Sequence, residues 1–206
     1  MKKGDLTRQA ILEAGLKMAS SVGLEDVTIG ELAKVTGLSK SGLFAHFQSK
    51  ENLQIEILGF AGQVFADNVV VPALSVPAGV ERIQALVDNW IAWTEQLTGG
   101  CIFVSASTEF SDRPGPVRDF LLRQQAEWLD CLVRMARSAI RAGEFRTDLD
   151  PGQFAFDLYS LLLGFNLYDK LLQDSRTRQR QQAALERLLT TYRTQAAGAS
   201  EPLASS

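Results

Sequence analysis

The sequence is poor in the residues that build metal and disulfide sites. Its 206 residues include one histidine and two cysteines, Cys101 and Cys131. A structural zinc site takes four Cys or His ligands, so a typical zinc centre is excluded, and we expect neither a metal nor another cofactor. No apolar run follows the basic start MKKGDLTRQ, so we expect a cytoplasmic protein without a secretory signal. The two cysteines are then expected to be free thiols, with a disulfide between them as the alternative.

Several other patterns are missing. No stretch approaches eighteen uncharged apolar residues, so we predict no membrane-spanning segment and no membrane partner. β-branched residues do not alternate over any useful length, which argues against strands. The chain also lacks a glycine-rich nucleotide loop and a nucleophile paired with histidine, which disfavours the common enzyme classes.

The net charge of −3 is unevenly distributed along the chain. Residues 1–50 carry seven Lys/Arg and five Asp/Glu, whereas the remainder carries fourteen and nineteen. The imbalance favours an anionic partner at the N-terminal end, although chance scatter explains a difference of this size equally well.

Apolar residues recur at helical spacing through nearly the whole chain, which predicts an all-α protein of about nine helices. The most ambiguous segment is Cys101–Phe110, whose CIFV run also fits a strand. The segment DPGQF, beginning at Asp150, predicts a helix start with a capping box closed by Gln153. The helix that follows is apolar on two faces, so we expect both faces to be buried.

Two short helices near the N-terminus form a helix-turn-helix pattern after a longer first helix. Thr28 followed by Glu31 is a capping box that starts the first short helix. Gly37 permits the turn, and Ser39 caps the second short helix. The second short helix is expected to pack inward through two residues, Leu43 and Phe47, against Ile29, Leu32 and Leu38. Such a helix suits the major groove of DNA, because its outward face is free to read base edges.

The stretch TIGELAKVTGLSKSGLFAHFQSKENL resembles the DNA-binding signature of the tetracycline-repressor (TetR) family. The matching features are the Thr cap, Ala-x-x-x-Gly, the Ser cap, Leu-aromatic-x-His-Phe and Ser-Lys-Glu-x-Leu. The resemblance implies a three-helix DNA-binding domain over residues 5–65, with its motif at about 28–47. It further implies a larger helical domain for ligand binding and dimerisation over 66–195, and we expect a disordered tail at 196–206.

The resemblance implies a DNA-binding surface on the second and third helices and at the start of the fourth. Carried over position by position, it consists of Thr28, Lys40, Ser41, Gly42, Phe44, His46 and Lys50. We interpret His46 as a DNA contact, with a structural role as the alternative, because no nucleophile or carboxylate stands beside it. Phe44 departs from the residue usual in the family, which is tyrosine, and a phenyl ring has no hydroxyl to hydrogen-bond a phosphate.

Residues of the C-terminal part are candidates for an effector pocket and a dimer interface. The resemblance places the helices of this part around a ligand cavity, and an apolar, aromatic pocket with a few polar anchors suits a small organic ligand. The ligand candidates are Asn89, Trp90, Trp93, Thr94, Phe103, Glu109, Trp128 and Asn166, with an ordinary core role as the alternative for the aromatic residues. The last two helices are expected to form a four-helix interface with a second copy. Its candidate residues are Phe156, Tyr159, Leu163, Leu167, Leu185 and Leu189.

These observations predict a sequence-specific transcriptional regulator rather than an enzyme. We expect a repressor that binds double-stranded operator DNA as a homodimer and is released by a small organic effector. One alternative is a DNA-binding dimer that responds to no ligand. The other is an all-helical enzyme that uses carboxylates such as Glu109 and Asp112.

Overall fold

The computed structural model describes residues 3–194, with side chains from Arg8 onward, and the predicted tail at 196–206 lies outside the described residues. The described chain forms nine helices and no β-strand, which confirms the predicted all-α fold. They are α1 Lys3–Val22, α2 Ile29–Thr36, α3 Lys40–Phe47, α4 Lys50–Leu74, α5 Val80–Gln96, α6 Ile102–Phe110, α7 Pro116–Arg141, α8 Pro151–Lys170 and α9 Thr177–Tyr192. Cys101–Phe110 is therefore helical from Ile102 onward.

Side-chain caps start the short N-terminal helices where the sequence predicts them. The Thr28 hydroxyl accepts the Glu31 N–H at 3.1 Å, and the Ser39 hydroxyl accepts the Gly42 N–H at 3.1 Å. The reciprocal half of the Thr28 capping box is absent, because the Glu31 carboxylate pairs with Lys34 instead. These caps satisfy N–H groups that have no partner inside the helix.

The start of α8 also has half of the predicted capping box. The Asp150 carboxylate accepts the Gly152 N–H at 2.8 Å. The Gln153 amide donates to Asp157 rather than back to the cap. The aspartate alone therefore starts this helix.

The first four helices share one apolar core. Leu32 of α2 and Leu43 of α3 are fully buried, together with Leu53 and Ile57 of α4. Leu38 is 39% exposed, so it lies at the edge of this core rather than within it. Burial of the inner faces of α2 and α3 fixes which face of α3 remains exposed.

Helix α4 crosses the predicted domain boundary at residue 65 without a break. Its hydrogen bonding changes to a π-helical turn at Ala66–Val70 and returns to an α-helical turn at Val71–Leu74. The Asn89 side chain of α5 donates to the Val69 carbonyl of this turn at 3.2 Å. The two predicted domains are thus joined by one continuous helix.

Helix α4 is also long and apolar enough to cross a membrane by length and composition, which the sequence analysis did not anticipate. Core helices of folded domains meet the same criterion. Leu58 and Ala61 of α4 are fully buried, and the helix packs against α1 and α7. Several of its apolar residues therefore have partners within the chain, whereas Val71 and Leu74 near its end are exposed.

The C-terminal part is layered around α8, which packs against α7 on one side and α9 on the other. Its buried residues include Phe154, Leu158, Leu162 and Phe165. The Phe154 ring lies edge-on to Tyr192 of α9, with the ring centres 5.2 Å apart. This layer joins α9 to the core, as the apolar inner face of α8 predicts.

The turn between α5 and α6 approaches α1 closely at Gly99. The Gly99 N–H donates to the Ser20 hydroxyl at 3.1 Å. A methyl group on Gly99 would overlap the Ser20 backbone carbonyl oxygen. This contact is one of the places where the C-terminal part touches the N-terminal helices.

We expect Gly99→Ala to lower the free energy of unfolding by about 1–3 kcal/mol, because overpacking against a backbone atom displaces α1. Urea denaturation at fixed protein concentration measures the effect. Gly59→Ala is the matched control, since a methyl group there meets only the Phe120 ring at 3.9 Å. In a helix interior this control is expected to be neutral or stabilising by up to about 1 kcal/mol. Equal unfolding midpoints for Gly99→Ala and the wild type would contradict the close contact.

Candidate functional site

The outward face of α3 is the candidate DNA-binding surface. Lys40, Ser41, Gly42 and His46 are all exposed, and the Phe44 ring is 58% exposed. Gly42 has no close neighbour except the Ser39 hydroxyl, so a backbone of another molecule can approach there. The fold thus leaves these five predicted positions accessible together on one short helix.

The Lys40 side chain lies against Gly30, a residue that the sequence analysis did not identify. The end of this side chain lies over Gly30 in the first turn of α2, where an added methyl group would contact its Cε atom at 3.5 Å. The half-buried cap Thr28 is adjacent, 3.7 Å from the same point. Lys40 and Thr28 therefore lie side by side where α2 and α3 meet.

Lys50, a predicted phosphate contact, is held in an ion pair within the chain. Its ammonium donates to the Glu25 carboxylate at 3.1 Å, and Arg113 contacts the same carboxylate oxygen at 3.1 Å. The hydrogen bond from Lys50, followed by the charges of both cations, lowers the pKa of the Glu25 carboxyl group. Lys50 is therefore positioned beside the α1–α2 turn, with its charge partly neutralised.

Glu109, a predicted ligand anchor, does not line the aromatic cavity and has structural partners elsewhere. From α6 its carboxylate accepts the N–H of Leu24 at 3.3 Å and the N–H of Glu25 at 2.8 Å. Below the same turn, the buried Gln54 amide of α4 donates to the Leu24 carbonyl at 2.9 Å. The turn that carries α2 and α3 is thus hydrogen-bonded directly to α6. A single carboxylate near the end of the apolar helix IFVSASTEF was the only sequence signal for this contact.

A small aromatic cavity lies between α4, α5, α6, α7 and α8. Its volume is about 40 Å³, close to the ~30 Å³ that one water molecule occupies in the liquid. Three predicted ligand residues line it, Trp90, Phe103 and Trp128, whereas Trp93 packs behind Phe65. The other lining residues, which sequence reasoning missed, are Phe65, Cys101, Gln124, Gln125 and Tyr159.

Three further predicted polar anchors are occupied by structural hydrogen bonds and do not line the cavity. Asn89 holds the π turn of α4, and the Thr94 hydroxyl donates to the Trp90 carbonyl at 2.9 Å. Asn166 accepts the Cys101 N–H at 3.2 Å, which fixes the start of α6. Each of these polar groups already has a backbone partner within the chain, so none of them is free to anchor a ligand in this cavity.

Gln125 joins three of the helices that surround the cavity. Its amide nitrogen donates to the Phe103 carbonyl at 3.2 Å and to the Ser107 hydroxyl at 3.0 Å, both on α6. Its amide oxygen accepts the Tyr159 hydroxyl of α8 at 2.8 Å. Burial raises the pKa of Tyr159 to about 12, so its hydroxyl keeps its proton and remains a donor. Gln125 therefore ties α6, the helix that carries Glu109, to the wall of the cavity.

Cys101 and Cys131 are both buried free thiols, as predicted. Burial raises the pKa of each thiol, so both are protonated near neutral pH. Among the described residues, no three His, Cys, Asp or Glu side chains come close enough to hold a metal ion.

The predicted interface residues fall into two groups. Phe156, Leu163 and Leu167 form an exposed apolar stripe on α8, with exposed fractions of 66%, 39% and 48%. By contrast, Leu185 and Leu189 of α9 are buried in the core of the subunit, and Tyr159 faces the cavity. These last three already pack within their own chain and therefore offer little surface to a second copy.

A larger concave surface of about 780 Å³ lies between α5 and α9. Its walls include several exposed polar and charged residues, among them Glu81, Asp88 and Glu186. Most of its lining residues are polar or charged, whereas small-molecule sites are lined predominantly by hydrophobic and aromatic side chains. We therefore take the aromatic cavity as the candidate effector site.

Two segments of the sequence match known protein families. Residues 11–57 match the family described as bacterial regulatory proteins, tetR family. Residues 79–185 match the tetracyclin repressor-like C-terminal domain. The first match covers the helices that expose α3, and the second includes most of the residues that line the cavity.

Individual proteins are also similar to this chain. The HTH-type transcriptional repressor KstR2 of Mycobacterium tuberculosis is 28% identical over 148 residues, covering 69% of this chain and 71% of the relative. A TetR transcriptional regulator from Chloroflexus aurantiacus J-10-FL has the same fold, with a TM-score of 0.83, 23% identity and coverage of 95% and 100%. AibR in complex with isovaleryl coenzyme A and operator DNA superposes with a TM-score of 0.71 at 23% identity, over 89% of this chain and 98% of AibR.

The Tyr159–Gln125 hydrogen bond generates a pH-dependent prediction. Tyr159→Phe leaves the Gln125 amide oxygen without this donor, which costs about 1–3 kcal/mol of unfolding free energy at pH 8. The folded pKa of Tyr159 is about 12 against an ordinary value of 10.0, so the wild type loses stability as pH rises from 10 towards 12. Tyr159→Phe has no hydroxyl to ionise and lacks this loss. The difference in unfolding free energy between the wild type and the variant should therefore be about 1 kcal/mol smaller at pH 11 than at pH 8. Urea denaturation at both pH values measures the difference, and an unchanged deficit would contradict the buried hydroxyl.

Proposed function

We propose that this protein is a repressor that a small organic effector releases from its operator. The chain belongs to the tetracycline-repressor (TetR) family of bacterial regulatory proteins and is a DNA-binding transcriptional regulator. The proposal rests on a continuous series of hydrogen bonds that links the cavity to the DNA-binding helices through one helix, α6. It runs from the cavity through Gln125 to α6, and from Glu109 of α6 to the turn before α2. A molecule entering the cavity has to disturb helices that hold the DNA-binding surface.

Two similar proteins support both halves of the proposal. KstR2 is named as a transcriptional repressor, and AibR has been crystallised with operator DNA and isovaleryl coenzyme A together. The same division suits this chain, in which α3 is exposed and an aromatic cavity lies between α4 and the helices that follow it.

In our proposal, α3 enters the major groove and Ser41, Gly42, Phe44 and His46 face the bases or the adjacent backbone. Lys40, beside the cap Thr28, is placed for phosphate contact, because helix starts and cations both attract anions. Lys50 contributes from the half-buried start of α4, where it exchanges part of its contact with Glu25 for a phosphate.

We propose a homodimer formed through α8 and α9. The exposed stripe of Phe156, Leu163 and Leu167 supports this arrangement, because an apolar stripe on a helix is stabilised by burial against another chain. A twofold dimer places two copies of α3 in successive major grooves. Half-site centres are then about 34–36 Å apart, or a multiple of that distance.

The remaining assignments follow from the same proposal. Residues 5–65 form the DNA-binding domain and 66–195 the ligand-binding and dimerisation domain, joined through α4. The protein acts in the cytoplasm, without a cofactor or a membrane partner. It is not an enzyme, because the Glu109 carboxylate is committed to backbone N–H groups and His46 lies exposed on α3.

Effector binding has to favour the state that does not bind DNA, because only a difference in affinity between two states can shift their populations. We assign the difference to the position of α6. Opening the cavity moves α6 away from α7, and Glu109 transmits the movement to the α1–α2 turn.

Selection of genomic fragments that the purified protein retains tests the proposal directly. The expected fragments share a near-palindromic sequence, and a compound screen on one of them should find molecules that release the protein. Binding that no compound weakens would favour the ligand-independent dimer, and retention of no fragment would overturn the DNA-binding assignment.

Lys40→Ala should weaken binding to the selected fragment and lower the slope of log affinity against log salt concentration by about one, since one phosphate contact is lost. Fluorescence anisotropy at several salt concentrations measures both effects. Lys17→Ala removes an equally exposed cation of α1 and is expected to change neither quantity. Identical slopes for Lys40→Ala and the wild type would remove Lys40 from the DNA surface.

Leu163→Asp should convert the dimer to monomers, because a carboxylate buried at an apolar interface has no partner there. Light scattering across a dilution series gives the molar mass. Val71→Asp is the control, since Val71 is 54% exposed on α4, away from α8 and α9. A dimer that survives Leu163→Asp at all concentrations would refute the α8 interface.

A further inference from the structure

Aromatic rings form most of the cavity wall. The Phe65 ring lies edge-on to Trp128, Phe103 and Trp93, with ring centres 5.1, 6.0 and 6.0 Å apart. Trp90 adds a further indole. Flat, apolar faces of this kind favour a ring-containing ligand, because aromatic pairs prefer such edge-to-face and offset contacts.

Two indole N–H groups near the cavity have no partner within the described residues. They are Nε1 of Trp93 and Nε1 of Trp128, and both are buried from solvent. The Trp93 N–H lies near the Cys101 sulfur, which is a weak acceptor, whereas the Trp128 N–H has no such neighbour. A buried donor without an acceptor costs about 1–3 kcal/mol, so native structures rarely keep one without a reason. Trp128 lines the cavity, whereas Trp93 lies behind Phe65. Because a ligand in the cavity contacts the Trp128 indole, we take the Trp128 N–H as the donor that such a ligand satisfies.

The cavity offers no charge to a ligand. Its polar lining groups are the amides of Gln124 and Gln125, the Tyr159 hydroxyl and the Cys101 thiol. Burial raises the pKa of both Tyr159 and Cys101, so both groups stay protonated near neutral pH. An ionised ligand would lose its hydration here without gaining a counter-charge.

We propose that the effector is an uncharged, ring-containing small molecule with a hydrogen-bond acceptor, such as a carbonyl oxygen, that accepts from the Trp128 indole N–H. This inference rests on the proposed function, because it names the class of effector that the same cavity takes. A cavity of about 40 Å³ is too small for such a molecule, so binding displaces the Phe65 ring. Phe65 directly precedes the π turn of α4, a local irregularity of the kind that often occurs at functional sites.

Three probes of nearly equal shape separate the features of the proposed ligand. Acetophenone has a neutral ring and a carbonyl acceptor, α-methylstyrene replaces the oxygen with a methylene group, and benzoate replaces the methyl ketone with a carboxylate. Titration calorimetry with the full chain is expected to show binding of acetophenone. α-Methylstyrene should bind about tenfold more weakly, and benzoate should not bind detectably.

Two variants identify the donor. Trp128→Phe keeps a ring but removes the N–H, and it should reduce the tenfold preference for acetophenone to less than about twofold. Trp93→Phe removes the other unpartnered N–H and should leave the preference intact. Circular dichroism and the unfolding midpoint establish that each variant is folded before it is titrated.

Several results would overturn the inference. They are an absence of acetophenone binding to the wild type, benzoate binding at least as tightly as acetophenone, or loss of the preference in Trp93→Phe but not in Trp128→Phe. Operator binding is measured separately on a selected genomic fragment without any probe. A protein that binds its operator but responds to a charged effector would refute the ligand class and leave the proposed function standing.

Discussion

The hydrogen bonds from the Glu109 carboxylate to the backbone of the α1–α2 turn are the contact on which the arrangement of this protein depends. They fix the short helices that expose α3 to a helix from the C-terminal part of the chain. The Lys50–Glu25–Arg113 ion pairs reinforce the same turn from α4 and from the loop before α7. A carboxylate that accepts two backbone N–H groups gives a geometrically specific link, because both donors and the acceptor have fixed directions.

The first two turns of α6 are hydrogen-bonded to the wall of the cavity, which gives the Glu109 contact its importance. Phe103 and Ser107 are hydrogen-bonded to Gln125, which is bound in turn by Tyr159, so α6 is held at its middle by the cavity and near its end by the α1–α2 turn. A short rigid helix held at both places moves as a unit. In the proposed function, the cavity is the point where a ligand changes the position of the DNA-binding helices.

Two exposed faces of the chain differ in chemistry, and each suits a different kind of partner, DNA for α3 and a second copy of the chain for α8. The α3 face combines an exposed lysine, a histidine and a glycine without close neighbours, which suits a polyanion approaching closely. The α8 face is an apolar stripe, which suits a second copy of the same helix. Phe44 stays distinctive, since its exposed ring offers van der Waals contact where tyrosine in the family offers a hydroxyl.

The sequence by itself determined the helices and the exposed face of α3, because helical periodicity, the caps at Thr28 and Ser39 and the turn at Gly37 are local signals. It also placed three tryptophan and phenylalanine residues, Trp90, Phe103 and Trp128, in one cavity lining. Only the tertiary structure decided the partners of the polar residues. Glu109, Asn89 and Asn166 resemble ligand anchors in a sequence, yet each hydrogen-bonds a backbone group of another helix or turn. Such pairings depend on distances between segments far apart in the chain, which no local pattern records, and for the same reason the burial of Leu185 and Leu189 became evident only once α9 was packed against α8.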